Sequence, residues 1–446
     1  VSTFSIDGLI SGLNTTEVIH KLLEIERAPI RRLEARKAEV NARITAWRAV
    51  NTKLTSLEDR AAALATSLTY LAAKASSTDP SVVVASASPG ATLGTYTLTV
   101  NRLASAHQIS TDTFADKDAQ VFGTGTLTVT VGSTSTTVTV AEGQNSLAGI
   151  ASAINAAGAG VSASVVQVDG GYRLLLTSQT SGAQGAVSVD TTNLSGGTAV
   201  LSFPHEVSPA QDAEVVLGTG SGAVTVHRST NVVSNLVPGV TLALVGTGTV
   251  TVTVEQDLGA VEKAVRDFVA AYNDVVDALA QYGRYDADTG QRGALQGDGT
   301  LQRIQAQLPD AVLRTEVSDQ TLKRLSDLGV RLGRHGKLTL DESKLSEALQ
   351  GRFDEARRVL EAAGGRMRDV TDSLTRTEGP VWLALAALEG RLRSLDRQVS
   401  VWEDRVEQKR QQLVRTFANL ERALGQLRSQ GDWLATQIRR LGGSSW

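Results

Sequence analysis

Cysteine is absent from the 446 residues. That removes disulfide frameworks, thiolate nucleophiles and sulfur-ligated metals together. Aromatic residues make up 4% of the chain, so any core is built from Leu, Val, Ile and Ala. No apolar run reaches the ~18 residues that a membrane-crossing helix needs. A large excess of one charge is also missing. The formal net charge of −3 gives no electrostatic footprint for nucleic acid, and no basic amphipathic segment marks a membrane surface. The first residues, Val1 to Lys21, lack a basic stretch followed by an apolar one, so export through a cleaved signal peptide is not expected.

Signs of catalysis are equally scarce. His20, His107, His205, His227 and His335 have no second ligand at metal spacing and are expected at the surface. Asp286-Ala-Asp288-Thr-Gly290 opens like a calcium loop, but Gly297 stands where its closing glutamate belongs. Gly218-Thr-Gly220-Ser-Gly222 and Gly246-Thr-Gly248 lie between strand patterns and open no helix, so they are turns and not phosphate cradles. The expectation is no enzyme, no catalytic residue, no metal and no cofactor.

What the chain does contain is a change of texture from end to middle. Between Ala119 and Ser202 only four residues are charged, in a background of Thr, Ser, Val and Gly. Between Val381 and Trp446 eighteen are charged. At the start, Asn14 is placed to cap a helix with Glu17 three residues on. Val18, Leu22 and Ile25 then form an apolar stripe. Ala28-Pro29 interrupts it, with Pro29 suited to the first turn of a second helix. That helix carries a three-four alternation through Ile30, Leu33, Lys37, Val40, Ile44, Trp47, Asn51, Leu54, Glu58, Ala61, Ala65 and Leu68. Lys37, Asn51 and Glu58 are polar seam residues of the kind that fix register.

The C-terminal seam is longer. It runs through Leu388, Leu392, Leu395, Val399, Trp402, Val406, Lys409 and Leu413. After a four-residue stutter it continues through Phe417, Leu420, Leu424, Leu427, Gly431, Leu434, Ile438 and Leu441. Such a run exceeds an ordinary globular helix of ~8–20 residues. Seams at both ends imply that the ends pair, with the middle inserted between them.

The middle reads as strands at Ser81–Ser86, Thr95–Val100, Gly125–Val131, Thr136–Val140, Val161–Val168, Tyr172–Thr177, Asp212–Leu217, Val224–His227, Thr241–Val245 and Thr249–Val254. A short amphipathic helix spans Ser146 to Ala156, and a longer one begins at Leu258. The fold class is therefore α+β and multidomain, with paired terminal coiled-coil helices, a helical/β leg and inserted β-rich heads. The expected division is 1–50 pairing with 400–446, a leg from 51–107 and 231–399, and heads over 108–230 in two subdomains.

Several motifs, in order along the chain, resemble one family. Ile6-Asp-Gly-Leu-Ile-Ser-Gly-Leu-Asn14, Thr16-Glu-Val and Glu26-Arg-Ala-Pro-Ile30 are similar to the opening of the flagellar filament cap family (hook-associated protein two, FliD), with Asn14 where the family typically has Asp. Leu147 to Ala183, with Ala153-Ile-Asn-Ala156 and Tyr172-Arg-Leu174, resembles the IN repeat of flagellins and hook-associated proteins. Gln211-Asp-Ala213, Asn231 and Val237-Pro-Gly-Val-Thr-Leu242 resemble the family's return strands. Leu328-Gly-Val330, Gly336 to Leu345 and Leu427 to Ala435 resemble its C-terminal part.

The resemblance implies a homo-oligomeric ring, a pentamer when assembled, at the distal tip of the flagellum. It implies flagellin as partner, with export by the flagellar type III apparatus and its chaperone. Neither nucleic acid nor membrane insertion is expected. An adhesin that binds host glycans through its β-rich head is the alternative reading.

Overall fold

The computed structural model describes residues 14–442. Most of the Ile6–Asn14 motif, and the side chain of Leu441, therefore lie outside the described residues. The chain is α+β and multidomain, with long terminal helices and several sheets. It divides into two compact units. One comprises the chain up to Thr66 and from Glu262 onward, and the other is Ser67–Val261.

The first unit begins with α1 (Thr15–Glu26) and α2 (Ala28–Ala65). Asn14 Oδ1 accepts the Glu17 amide at 3.0 Å, which satisfies one of the unpaired donors of the first turn. Arg27 alone separates the two helices, and Arg31 N still reaches Arg27 O at 3.1 Å. Pro29 has no amide to donate, so the break costs little more than one hydrogen bond.

Following the short α3 (Ser67–Tyr70) and the α4 helix of the second unit (Leu147–Ala157), the helices are α5 (Leu258–Gly283), α6 (Gly299–Leu313), α7 (Glu342–Gly351), α8 (Phe353–Thr375) and α9 (Pro380–Gly442). Lys53–Asp274 at 2.7 Å and Arg60–Asp267 at 3.9 Å lay α5 along α2. Beyond Trp47, α2 buries Val50, Leu57 and Leu64 as well as the expected Leu54 and Ala61. There it is a bundle helix, walled on more than one side, and α8 packs directly on it. At Gly364 of α8, a Cβ would stand 2.6 Å from Ala61 O and 2.7 Å from Ala65 N. The two backbones touch at a spot that only glycine fits.

The second unit holds two cores. The outer strands are β1 (Ala73–Ser77), β2 (Val83–Ala87) and β3 (Gly94–Arg102). Next come β4 (Ala106–Ser110), β5 (Thr124–Val131), β6 (Thr134–Val140), β7 (Val161–Val168), β8 (Gly171–Ser181), β9 (Val187–Asp190), β10 (Leu194–Ser195) and β11 (His205–Ser208). The chain returns through β12 (Ala213–Leu217), β13 (Val224–Arg228), β14 (Val232–Ser234), β15 (Val240–Leu244) and β16 (Gly248–Gln256). A five-stranded sheet, β1-β16-β3-β12-β13, and a three-stranded one, β14-β15-β2, share a core of residues such as Leu98, Val100, Val215, Leu242 and Val252. Between β3 and β12 the chain builds a second core from β10-β5-β6, with β9 on β5, from β11-β4-β8-β7 and from α4. Phe122, Leu127, Ile150, Ile154 and Leu174 lie inside it.

This division differs from the expected one. Residues 73–107 and 231–256, assigned to the leg, are strands of the second unit. The drop in charge that marked the head covers only the inserted core. The surrounding strands carry Lys74, Arg102, Glu214, Arg228 and Glu255 on their exposed faces, so composition alone hid their membership.

Three asparagines close loops in the same way, each holding both sides of one residue's backbone. Asn155 binds Ala163 N and O, both at 2.8 Å. Asn231 binds Ala104 N at 2.7 Å and O at 2.9 Å, beside the crossing between the two β cores. Asn273 binds Leu338 N at 2.7 Å and O at 2.9 Å. That fixes the hairpin of β17 (Val330–Leu332) and β18 (Leu338–Leu340) to α5. Gly329, before that hairpin, has φ +86°, and Asp341 O is 2.6 Å from where its Cβ would be.

Candidate functional site

The terminal helices pair antiparallel. Lys37 Nζ meets an Asp396 oxygen at 2.8 Å and Arg48 meets Glu389 at 2.9 Å, so rising numbers on α2 match falling numbers on α9. Of the expected seam, Leu33, Val40, Ile44, Trp47 and Leu54 are buried on α2, as are Leu395, Val399 and Val406 on α9. Ile30 and Trp402 are half-buried. Of the expected partnering of 1–50 with 400–446, Arg27, Ile30 and Arg31 do lie against Glu403, Val406 and Glu407, whereas residues 37–48 of α2 oppose 389–396 instead. The sequence gives each helix a stripe but not their relative slide.

Lys37 shows how a charged residue occupies a seam. Its stem lies along the interface and its ammonium group bonds Asp396, which holds the Lys37 pKa above the ordinary lysine value. Glu58 lies further along α2, where its carboxylate accepts the Thr375 hydroxyl of α8 at 3.1 Å. Lys37 and Glu58 thus each have a defined partner on another helix, which penalises any shift of register. On α9, Glu407 receives hydrogen bonds from Arg410 and Gln411, which hold its pKa down at about 2.

Past Val406 the burial fades. Leu413, Phe417 and Leu424 are half-buried. Leu420 is 45% exposed, Leu427 64%, Leu434 53% and Ile438 66%. α1 packs against α9, and beyond Leu424 the residues Leu427, Leu434 and Ile438 keep heptad spacing as one exposed apolar line. Gly431 occupies a seam slot and has open space around it. The stripe on α1 behaves similarly. Val18, Leu22 and Ile25 are exposed, and Thr15 and Leu23 make the buried contact instead. The sequence pattern located this stripe but not its direction. Trp433, off the seam and 63% exposed, had no periodic signal to reveal it.

Among the described residues no group of three or more His, Asp or Glu side chains is arranged to hold a metal. His107 departs from the surface role expected for it. Its Nδ1 accepts the Val187 amide at 2.7 Å and its Nε2 meets Glu206 at 3.2 Å, joining three strands of the inserted core. The Asp286 loop is a local turn, with Asp286 Oδ1 accepting the amides of Asp288 and Thr289. What this geometry offers is an apolar helical seam awaiting another surface.

Three family models match the chain. The model for the flagellar hook-associated protein 2 N-terminus covers residues 11–107, and that for its C-terminus covers 210–429. The flagellin hook IN motif covers 126–180, which extends the expected repeat back over the β5–β6 hairpin. A-type flagellar hook-associated protein 2 of Pseudomonas aeruginosa is 27% identical over 473 aligned positions, covering 98% of each chain. Flagellar hook-associated protein 2 of Escherichia coli K12 is 28% identical over 97% of each. Among solved structures, the D1-D2-D3 domains of the flagellar cap protein FliD from Escherichia coli match with a TM-score of 0.59 and 29% identity. That match covers 77% of this chain and 99% of the other.

Proposed function

The chain belongs to the flagellar hook-associated protein 2 family, and on that premise we propose that it is a cap of the bacterial flagellar filament, an extracellular structural protein and not an enzyme. The observation that carries this reading is the end-to-end similarity to hook-associated proteins, at 98% of both chains.

In this reading the β unit supplies the head and the helical unit the leg. Copies assemble as a ring, a pentamer at the filament tip, with heads forming a plate. The distal seam of α9 seats on helices of the last flagellin subunits. Flagellin is retained beneath the plate, folds there and joins the filament. The chain reaches the tip through the flagellar type III export apparatus, attended by its chaperone. The exposed line Leu427, Leu434 and Ile438 supports the seating step, because apolar side chains on one helix face are stabilised when a second helix covers them.

Electron microscopy of cells lacking the gene tests the proposal. The expected result is missing filaments and flagellin in the medium, both reversed by the intact gene. Normal filaments with poor surface attachment would refute the cap and favour an adhesin.

A further inference from the structure

Each histidine of the second unit meets a carboxylate, but one of them has both ring nitrogens engaged. His205 Nε2 lies 3.0 Å from Asp112 and His227 Nε2 lies 3.3 Å from Glu214, with side chains 42% and 53% exposed. Charging either ring strengthens its pair. His107 is different. Its side chain is 12% exposed, its Nε2 lies 3.2 Å from Glu206 Oε1, and its Nδ1 accepts the Val187 amide at 2.7 Å. A ring nitrogen that accepts carries no hydrogen. The neutral ring therefore keeps its hydrogen on Nε2 and donates it to Glu206. The Val187 amide faces this ring because of its place in the β5–β9 ladder. Gly132 N donates to Ala186 O, so the alternation of an antiparallel pair turns the peptide groups of Val187 away from β5. Val187 is buried. Since β4 and β9 belong to different sheets of the inserted core, the imidazole bonds one sheet to the other.

We propose that His107 is an acid-released latch between the two sheets of the inserted core. This inference is independent of the cap reading. Protonation places a hydrogen on Nδ1, so that donor faces donor across the bond to Val187. The ring then turns from Val187 and keeps Glu206, whose carboxylate attracts the imidazolium. Val187 is left with a buried amide that has lost its acceptor, a costly state. β9 keeps its ladder with β5 and loses its bond to β4. The other charged groups on the strands packed against β4 have their own partners. On β11, His205 is held by Asp112. On β8, Arg173 donates to Thr113 Oγ1 at 2.9 Å. On β9, Asp190 accepts the Thr192 amide and hydroxyl. Histidine is the side chain whose charge ordinarily changes between about pH 5 and 8, so mild acid is the trigger.

The test uses the full chain. Amide exchange is read by mass spectrometry at about pH 7.5 and about pH 5.5, and corrected for the intrinsic effect of pH. Protection of β9 should fall at least ~10-fold in acid, while that of β3 and β16 in the outer core stays within ~2-fold. A His107→Asn variant keeps an acceptor oxygen near the place of Nδ1 and does not titrate, so its β9 should be equally protected at both pH values. Glu206→Gln alters an exposed side chain and leaves the latch in place. It removes the charge that favours the imidazolium, so the loss of protection should move to lower pH. Nitrogen NMR of the chain with isotope-labelled histidine should place the His107 hydrogen on Nε2 at neutral pH. Four results would each overturn the inference. They are a neutral His107 protonated on Nδ1, β9 protection that ignores pH, an equal acid loss in His107→Asn, and an unmoved transition in Glu206→Gln.

Discussion

Two neighbouring glycines of α8 should respond in opposite directions to the same change. Gly364 faces α2. An added Cβ would lie 2.6 Å from Ala61 O, 2.7 Å from Ala65 N and 2.8 Å from Leu64 Cβ. These contacts are about 1 Å inside van der Waals separation. Two of the three are backbone, so no rotamer change relieves them and the helices must part. Overpacking of this kind costs ~1–3 kcal/mol, and parting α2 from α8 places Gly364→Ala at the upper end. Alanine recovers ~1 kcal/mol of helix propensity, leaving a net loss of ~2 kcal/mol. Gly365 has nothing within 4 Å of its Cβ position, so Gly365→Ala keeps the propensity gain alone, ~1 kcal/mol. Urea unfolding followed by tryptophan fluorescence is a suitable assay, because none of the five tryptophans lies within Ser67–Val261. The β unit is silent in that signal, so its own unfolding does not blur the transition. Equal stabilisation by both substitutions would refute the close approach of α2 and α8.

Other substitutions probe the remaining parts. Leu395→Ala removes a side chain only 5% exposed and should cost ~2–5 kcal/mol, whereas Leu427→Ala, at 64% exposure, should stay within ~0.5 kcal/mol. Matching losses from both would show that the distal seam is already covered. Asn155→Ala deletes two hydrogen bonds to Ala163 and should destabilise the inserted core by ~1–3 kcal/mol, read by calorimetry of the second unit. An unchanged transition would mean that the clip contributes nothing. Tyr272 is fully buried, its hydroxyl has no hydrogen-bond partner among the described residues, and burial raises its pKa to about 12. The unfolded chain ionises this group near its ordinary pKa of ~10. Stability should therefore fall as pH rises from ~10 to ~12, by up to ~3 kcal/mol. Tyr272→Phe should remove that slope and be neutral or stabilising at pH 7; an unaltered slope would count against burial of the hydroxyl.

Much of this architecture is legible before any coordinates. Period-two runs located nearly every long strand, because a half-buried strand must alternate apolar with polar residues. The turns at Gly132-Ser133 and Asp169-Gly170 fall in the gaps between the runs read as strands. The seams were legible for the same reason, since heptad spacing survives whether or not a partner is present. That is also why the sequence did not separate covered from uncovered stretches. Leu395 and Leu427 have the same chemistry and the same phase, and differ only in what lies opposite. The second buried face of α2, through Val50, Leu57 and Leu64, was masked by the stronger heptad of its first face. The asparagine clips left no periodic trace at all. A polar side chain bonded to one distant peptide is specified by tertiary approach, and only Asn155 and Asn231 were marked, through motif resemblance.

The most direct test of the central claim is filament growth in cells whose only copy is the Leu427→Ser/Leu434→Ser variant. Both side chains are more than half exposed, so the variant should fold and be exported like the parent. The account predicts short or absent filaments with flagellin in the medium, in cells where the unaltered chain restores full-length filaments. Full-length filaments from the variant would contradict the assignment of the distal seam as the surface that seats the cap.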